Sequence, residues 1–504
     1  MAGKYLMNII GVDIGTQGTK AALFHEDGRI LAEAFEPSRL ITDSGGGVEQ
    51  DPGEIYSSVI TTVRTVMEKS GADPSSVASI GIDGQMAGIL GIDQEWKAIT
   101  PYDSWLDTRC EKYILMMKEK AGDEIARTTG CPVTYAHGPK ILWWKNERPS
   151  TYAGVEKFIM PSTYVAGRMA GLKSGKAWID YTHIHFSGFC SVEKKEWSDE
   201  LLREFGVDRQ KMPEVVEPWK IAGKLSREAA EACRLIPGIP VAAGCGDQAA
   251  TSLGAGITAP GMAFDVAGTA SVFSCCVDRY EPDMKNMTLI FPRAVIDGLW
   301  IPLAYINGGG LCLKWFRDNL ADKSASYDVL DGEAEKIPPG SGGLIFIPHF
   351  SGRVCPSMPG MRGSWLGLNF GHTRGHLFRS IRESIAYEYR IYLDILRDLT
   401  GIRDFKSLSI LGGGARSGLF NSIKSDVLGI PCTTMVNSET ATLGSAIVAG
   451  YAAGIYRDMA ETAGSLAARG KVFHPDYSNT ASYSKYADLY RKCLKLLEGF
   501  PPGL

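Results

Sequence analysis

Short apolar runs with strand-like alternation open the chain. Residues 9–12, 21–24 and 30–33 read as three antiparallel strands, the last two joined by a tight Asp27-Gly28 turn. Ile55, Val59, Ile60, Val63 and Val66 then recur at helical spacing and predict a helix over residues 52–68, with Asp51 as N-cap and Pro52 in its first turn. Residues 77–82 read as a strand that ends in Asp83-Gly84-Gln85-Met86, and strand ends are where α/β proteins place ligand contacts. Further on the pattern gives a helix over 227–234 behind Ser226, a strand over 240–243, the turn Gly244-Cys245-Gly246-Asp247-Gln248 and a helix from Ala249. The second half repeats the theme. It has a hairpin over 264–276, strands near 294–305, a flexible turn at Asn307-Gly308-Gly309-Gly310, a strand over 344–347 and a long helix over 376–398. A buried strand over 407–411 ends in Gly412-Gly413-Gly414, and a last helix lies near 482–497.

One element of this pattern occurs twice, about half a chain apart. Residues 8–20 hold an apolar run, the turn Gly15-Thr16 and a second apolar run; residues 261–273 do the same around Gly268-Thr269. Gly and Thr are ordinary turn residues, so either copy alone is only a hairpin. The pair is how an actin-like ATPase holds a nucleotide, with two turns offering backbone N–H and hydroxyl donors to phosphates.

The chain has 504 residues, too many for one core, and fits two lobes of about 250 residues. The boundary is expected in the Gly-, Ala- and Pro-rich stretch 254–260, giving an N-terminal lobe over 1–254 and a C-terminal lobe over 255–504. A net charge of -4 provides no basic field for nucleic acid or an anionic membrane. Residues 1–10 run straight into the first strand without a leader pattern, and the apolar stretch 441–453 is too short to span a bilayer. Eleven scattered cysteines without a CxxC pair fit a reducing, cytoplasmic setting. The eight histidines form no metal motif; His183 and His185, two apart, suit one face of a strand, and the sequon at Asn286 carries no meaning in a cytoplasmic chain.

Two carboxylates carry the candidate chemistry. Asp13 ends a strand beside the first phosphate turn, where it either caps the turn or holds Mg²⁺ next to a triphosphate. Asp247 lies in a Gly-rich strand-to-helix turn, either as N-cap or as general base for phosphoryl transfer to a hydroxyl. Lys20 either reaches phosphate or is solvated at a strand edge, and the glycine triplet at 412–414 lets backbone lie against a flat ligand. Neither a P-loop nor a nucleophile elbow is present.

The motifs Asp13-Ile14-Gly15-Thr16, Gly84-Gln85-Met86, Trp105-Leu106-Asp107-Thr108-Arg109, 137–143, 244–248, Gly268-Thr269, 363–383, 412–417 and Glu439 with 443–446 resemble, in order and spacing, the FGGY carbohydrate kinases, over nearly the whole chain. The resemblance implies an α/β protein with a two-lobed, ribonuclease H-like (actin-like ATPase) fold and its active site in the interlobe cleft. It implies ATP and Mg²⁺ as cofactors and a small-molecule sugar as substrate, with no nucleic acid or membrane partner. A homodimer is an expectation of the resemblance alone. By position, Asp247 looks like the catalytic base and Asp13 the metal contact. Gln85, Met86, Trp105, Asp107, Tyr135, Asp247 and Gln248 fall where the sugar is expected. Thr16, Gln17, Lys20, Gly268, Thr269, Gly413 and Gly414 resemble ATP contacts.

Gly-Gln-Met most resembles the xylulokinases, which implies D-xylulose as acceptor. Four positions depart from the pattern: Ala87 replaces the usual His, Arg353 stands where many relatives have Glu, Arg382 breaks an apolar position and Ser422 replaces a common Gln. Three alternatives stay open: a kinase of another ketose or polyol such as ribulose, a non-catalytic nucleotide or sugar sensor, and an actin- or chaperone-like ATPase.

Overall fold

The computed structural model describes residues 7–437 and 439–498, so residues 1–6 of the segment read for a leader lie outside it. Strands β1 (Asn8–Ile14), β2 (Gly18–His25) and β3 (Ile30–Pro37) form the expected antiparallel ribbon. Helix α1 (Pro52–Ser70) begins where Asp51 accepts the N–H groups of Gly53 and Glu54, and it ends at the left-handed Gly71. Its buried stripe of Ile55, Val59, Val63 and Val66 packs with Ile10, Val12 and Ile82. Strand β4 (Val77–Gly84) lies parallel to β1, and β5 (Ile221–Lys224) and β6 (Pro240–Ala242) complete the order β5-β6-β4-β1-β2-β3, with Cys245–Gly246 also pairing to β4.

The second sheet repeats this topology. Strands β7 (Met262–Ala267), β8 (Ser271–Cys275), β9 (Leu303–Ile306), β10 (Ser407–Leu411), β11 (Cys432–Met435) and β12 (Arg469–Phe473) take the order β9-β8-β7-β10-β11-β12. Read from β3 in the first sheet and from β9 in the second, neighbouring strands pair antiparallel, antiparallel, parallel, parallel, antiparallel. The duplication seen in the two hairpins therefore extends to both sheets.

Two compact units result. One comprises the described residues up to Thr258 together with Phe291–Ile301 and Glu439–Ala467; the other comprises Ala259–Ile290, Pro302–Ser438 without the undescribed residue 438, and the described residues from Ala468. The chain thus returns to the first unit twice. Ala294, Val295 and Ile301 join a core with Phe24 and Leu253, which explains why little of 294–305 is strand: within that stretch the regular strand residues begin at Leu303. The second return carries helix α5 (Thr440–Ala452) onto β1, β4 and helix α2 (Asp247–Gly254). The approach is backbone to backbone: a Cβ on Gly11 would lie 1.9 Å from the Thr442 carbonyl oxygen, and one on Gly81 would lie 2.1 Å from that of Ser445.

Of the turn expected at 307–310, Asn307 and Gly308 form a turn, and Gly309 and Gly310 already begin helix α3 (Gly309–Asn319). Its glycines serve proximity: a Cβ on Gly310 would lie 2.0 Å from the Gly268 carbonyl oxygen, against the second hairpin turn. Helix α4 (Arg374–Thr400) and the C-terminal helix Tyr477–Leu497 run longer than their apolar patterns predict. All eleven cysteines are buried, and none forms a disulfide. Among the described residues no helix is long and apolar enough to cross a membrane.

Candidate active site

Three acids gather at the C-terminal ends of the first unit's parallel strands. The register sets Asp13 of β1 opposite Asp83 of β4, and Asp83 opposite Cys245, two residues before Asp247. Asp83 is wholly buried and accepts a 2.6 Å hydrogen bond from Ser445 Oγ on α5, while Asp13 and Asp247 keep partial exposure. Burial and then the charge of Asp13 push the Asp83 carboxyl well above the usual range, with Asp247 adding to the effect. The Asp13 carboxyl is also raised, chiefly by burial, although Asp83 and Lys20 pull it down. Two such carboxyls cannot both ionise, so Asp83 is the proton holder and Asp13 its acceptor. Burial and the Asp13 charge push Asp247 up to about 7, against the pull of the Gln248 N–H and His183. Asp247 is the first residue of α2, not its cap; Gly246 occupies the cap position, and Asp247 Oδ1 accepts the Gln248 N–H at 2.6 Å.

A polar network adjoins these acids. Trp105 Nε1 donates to Thr16 Oγ1 at 2.9 Å, Thr16 donates to Gln85 Oε1 at 3.2 Å, and Gln85 Nε2 donates to Gln50 Oε1 at 2.6 Å. The Gln85 N–H also holds the Ile14 carbonyl at 2.9 Å, tying the end of β4 to the first phosphate turn. Met86 lies against Gly246, where a Cβ would come within 2.7 Å of its sulfur. Thus Asp13, Thr16, Gln85, Met86, Trp105 and Asp247 are parts of one neighbourhood. Ala87 follows with φ of 63°, a left-handed conformation strained for a residue with a Cβ.

Other predicted residues have different partners. The Asp107 carboxylate accepts the Val48 N–H at 3.0 Å and lies 2.7 Å from Arg109 Nη2. Asp107, Glu49 and Asp103 form a cluster with the spacing of a cation site, but the Arg109 guanidinium, 2.7 Å from Glu49 and 3.0 Å from Asp103, already supplies its positive charge. Lys20 pairs with Glu439 at 3.1 Å. The Tyr135 carbonyl accepts Lys140 Nζ at 2.7 Å; Gln17 is exposed and Gln248 half-buried.

In the second unit Gly268, Thr269, Gly413 and Gly414 line one cavity of about 620 Å³, within the usual size of a small-molecule site. Arg382 and Asp331 line it too, their charged groups 2.6 Å apart, and Ser417 Oγ donates to Asp331 Oδ2 at 2.7 Å. The sequence marks Arg382 only as a departure, and its partner Asp331 carries no motif. A larger depression of about 880 Å³ on the first unit, lined by residues such as Asp51, Trp96 and Arg168, holds none of the predicted site residues.

Comparison with known proteins decides the family. The sequence profile of the FGGY family of carbohydrate kinases, N-terminal domain, matches residues 8–254, and that of the C-terminal domain matches residues 266–453. The chain belongs to the FGGY family of carbohydrate kinases. As an FGGY kinase it is a phosphotransferase acting on a small sugar-like acceptor, and the phosphate donor of the family is ATP. A xylulose kinase of Bacillus subtilis is 26% identical over 485 residues, covering 96% of each chain. A gluconokinase of the same organism is 28% identical over 459 residues, covering 88% of each chain. Crystal structures of a gluconate kinase and a ligand-bound xylulose kinase, both from Lactobacillus acidophilus, each match with a TM-score of 0.91 at 23% identity, covering 98% of this chain and 99% of theirs. The FGGY kinase therefore has the actin-like, ribonuclease H-like α/β fold in two domains.

Proposed function

We propose that this FGGY kinase transfers the γ-phosphoryl group of ATP to a primary hydroxyl of a ketose, D-xylulose, giving D-xylulose 5-phosphate. Asp247 is the general base. The observation that carries this role is the placement of its partly exposed carboxyl at the first residue of α2, just past the strand end that pairs with Asp83, where burial and the Asp13 charge raise it to about 7. That value lets it be ionised near neutral pH and still basic enough to take a hydroxyl proton. As the hydroxyl oxygen bonds to the γ-phosphorus, the bond from phosphorus to the departing ADP oxygen breaks and the proton passes to Asp247. The hydrogen bond from the Gln248 N–H fixes one carboxylate oxygen, leaving the other for that proton. Gln85, Met86 and Trp105, beside the base, bind and orient the sugar, with Tyr135, Gln248 and the Arg109-bound Asp107 as further parts of its site.

Thr16, Gln17 and Lys20 on the first hairpin, and Gly268, Thr269, Gly413 and Gly414 around the second unit's cavity, are the ATP contacts. The donor set at Asp13 suits Mg²⁺: a partly exposed carboxylate whose charge raises the Asp83 and Asp247 carboxyls, while the Lys20 ammonium is bonded to Glu439. Mg²⁺ bound there would offset phosphate charge.

Xylulose kinases among the relatives favour D-xylulose; gluconokinases and glycerol kinases among them make an aldonate or a polyol the second reading. The deciding assay measures ADP release with Mg²⁺-ATP across D-xylulose, D-ribulose, L-ribulose, D-gluconate and glycerol. A kcat/KM highest for D-xylulose is expected, and a higher value for any other acceptor overturns the substrate.

A further inference from the structure

Asp180, Thr182 and His183 lie within the first unit and are at most 1% exposed. None belongs to the motifs that carry the family resemblance. Asp180 ends the short strand Trp178–Asp180, and its carboxylate takes three hydrogen bonds. Oδ1 accepts the Thr182 N–H at 2.9 Å and also the Thr182 hydroxyl; Oδ2 accepts His183 Nδ1–H at 2.5 Å. Three donors on a buried carboxylate hold it aligned.

This arrangement fixes the direction of the Thr182 hydroxyl. Its single proton goes to Asp180, so its lone pairs face outward. One of them accepts the N–H of Gly246 at 2.9 Å, across 64 residues of sequence and with both atoms buried. Gly246 is the cap residue of α2 and the immediate predecessor of Asp247. It cannot be held by a side chain of its own, because a Cβ there would strike Met86. Thr182 thus holds the Cys245–Gly246 peptide, one peptide before the one that enters Asp247, while the Gln248 N–H holds the Asp247 carboxylate.

We propose that Thr182, locked by Asp180, is the positioning residue of the catalytic base Asp247. This rests on the reading of Asp247 as base. The hydroxyl sets the orientation of the Gly246 peptide and through it the direction of the Asp247 side chain. Its loss would turn the carboxylate without changing the residues that meet ATP. The cost belongs in kcat, since a base misplaced by about 1 Å loses on the order of 10²-fold in rate.

The test compares Thr182→Val and Thr182→Ala, which remove the hydroxyl, with Thr182→Ser, which keeps it. Asp247→Asn serves as the reference. Steady-state kinetics use Mg²⁺-ATP and whichever of D-xylulose, D-ribulose, L-ribulose, D-gluconate and glycerol the parent turns over fastest. ATP affinity is measured separately by calorimetry and folding by thermal melts. The expected result is a kcat lower by about 10- to 100-fold in Thr182→Val and Thr182→Ala, with ATP affinity unchanged. Thr182→Ser should stay within about threefold of the parent. If either variant without the hydroxyl folds and keeps the parental kcat, or if only KM moves, the positioning role is wrong. Should both variants fail to fold, Thr182→Ser decides: parental kcat supports the role, and a loss like that expected of valine overturns it. Parental activity in Asp247→Asn, or no turnover by the parent with any of the five acceptors, removes the base reading and this proposal with it. An inactive Asp247→Asn beside a fully active, folded Thr182→Val removes the positioning role alone.

Discussion

Asp13 and Asp83 face each other across adjacent parallel strands, and the wholly buried Asp83 holds the proton that the two share. Of the pair, Asp83 is therefore the carboxyl that favours its neutral, protonated form. Its contact with Ser445 reaches a helix from the far end of the sequence, so the pair joins site chemistry to the packing of α5.

Asp83→Asn copies that neutral form, with an amide oxygen for Ser445 and an amide N–H for Asp13. The expected outcome is kcat within a few-fold of the parent and an equal or higher Tm. Loss of activity by a hundredfold or more in a folded Asp83→Asn would mean that an ionised Asp83 is used.

The proposed base, Asp247, has a predicted pH signature. With its carboxyl raised to about 7 in the free protein, kcat/KM should fall about tenfold per unit as pH drops below that value. Stability runs the other way. The folded carboxyl keeps its proton up to about 7, whereas an unfolded chain releases it near 4. Between those values the folded state binds more protons, so this group's contribution falls as pH rises. Asp247→Asn should therefore abolish turnover yet melt at least ~2 °C higher than the parent at pH 8, with the gap closing toward pH 4. Melts of both proteins across that range check the sign, and a gap that widens toward acid contradicts it.

Arg109 bridges Glu49, Asp103 and Asp107 and stacks on Trp143, 4.4 Å from its ring centre. Arg109→Leu leaves three acids without their cation and should cost ~3–5 kcal/mol, measured by denaturant unfolding. Arg109→Lys should recover only part of that, because an ammonium lacks the planar fork that meets several carboxylates at once.

Arg382 and Asp331 form the buried charge pair of the second unit's cavity. Arg382→Leu restores an apolar residue but strands Asp331. ATP binding, read by calorimetry, should weaken by about tenfold or more, and Asp331→Asn in the same chain should return part of the loss. Unchanged ATP affinity in Arg382→Leu would separate this pair from nucleotide binding.

The sequence made the framework legible where local signals agreed. β1 to β3 and α1 combine clear periodicity with a Gly-containing turn and an Asp-Pro start; all four form where predicted, with β2 and β3 eight residues long against the four predicted for each. Glycine was misread where its purpose is contact rather than freedom: 307–310 looks like a flexible turn, yet Gly309 and Gly310 begin a helix that presses on Ser271 and Gly268. The site was legible in its motif residues. It was opaque in residues recruited by register or by distant chain, since nothing local marks Asp83 as the partner of Asp13 or sends Thr182 to Gly246. The commitment of Lys20 to Glu439 spans 419 residues and is likewise invisible to spacing.

The return of α5 to the first sheet has a consequence for biosynthesis. The strands that carry Asp13 and Asp83 leave the ribosome early, but the helix that covers Gly11 and Gly81 is made some four hundred residues later. Until then the nascent first unit presents a groove of glycine and apolar side chains with nothing laid in it. At elongation rates of ~5–20 residues per second, that exposure lasts tens of seconds. Vectorial synthesis therefore cannot finish the first unit from its own strands forward; that unit is closed only after most of the second has been made, by residues 439–467.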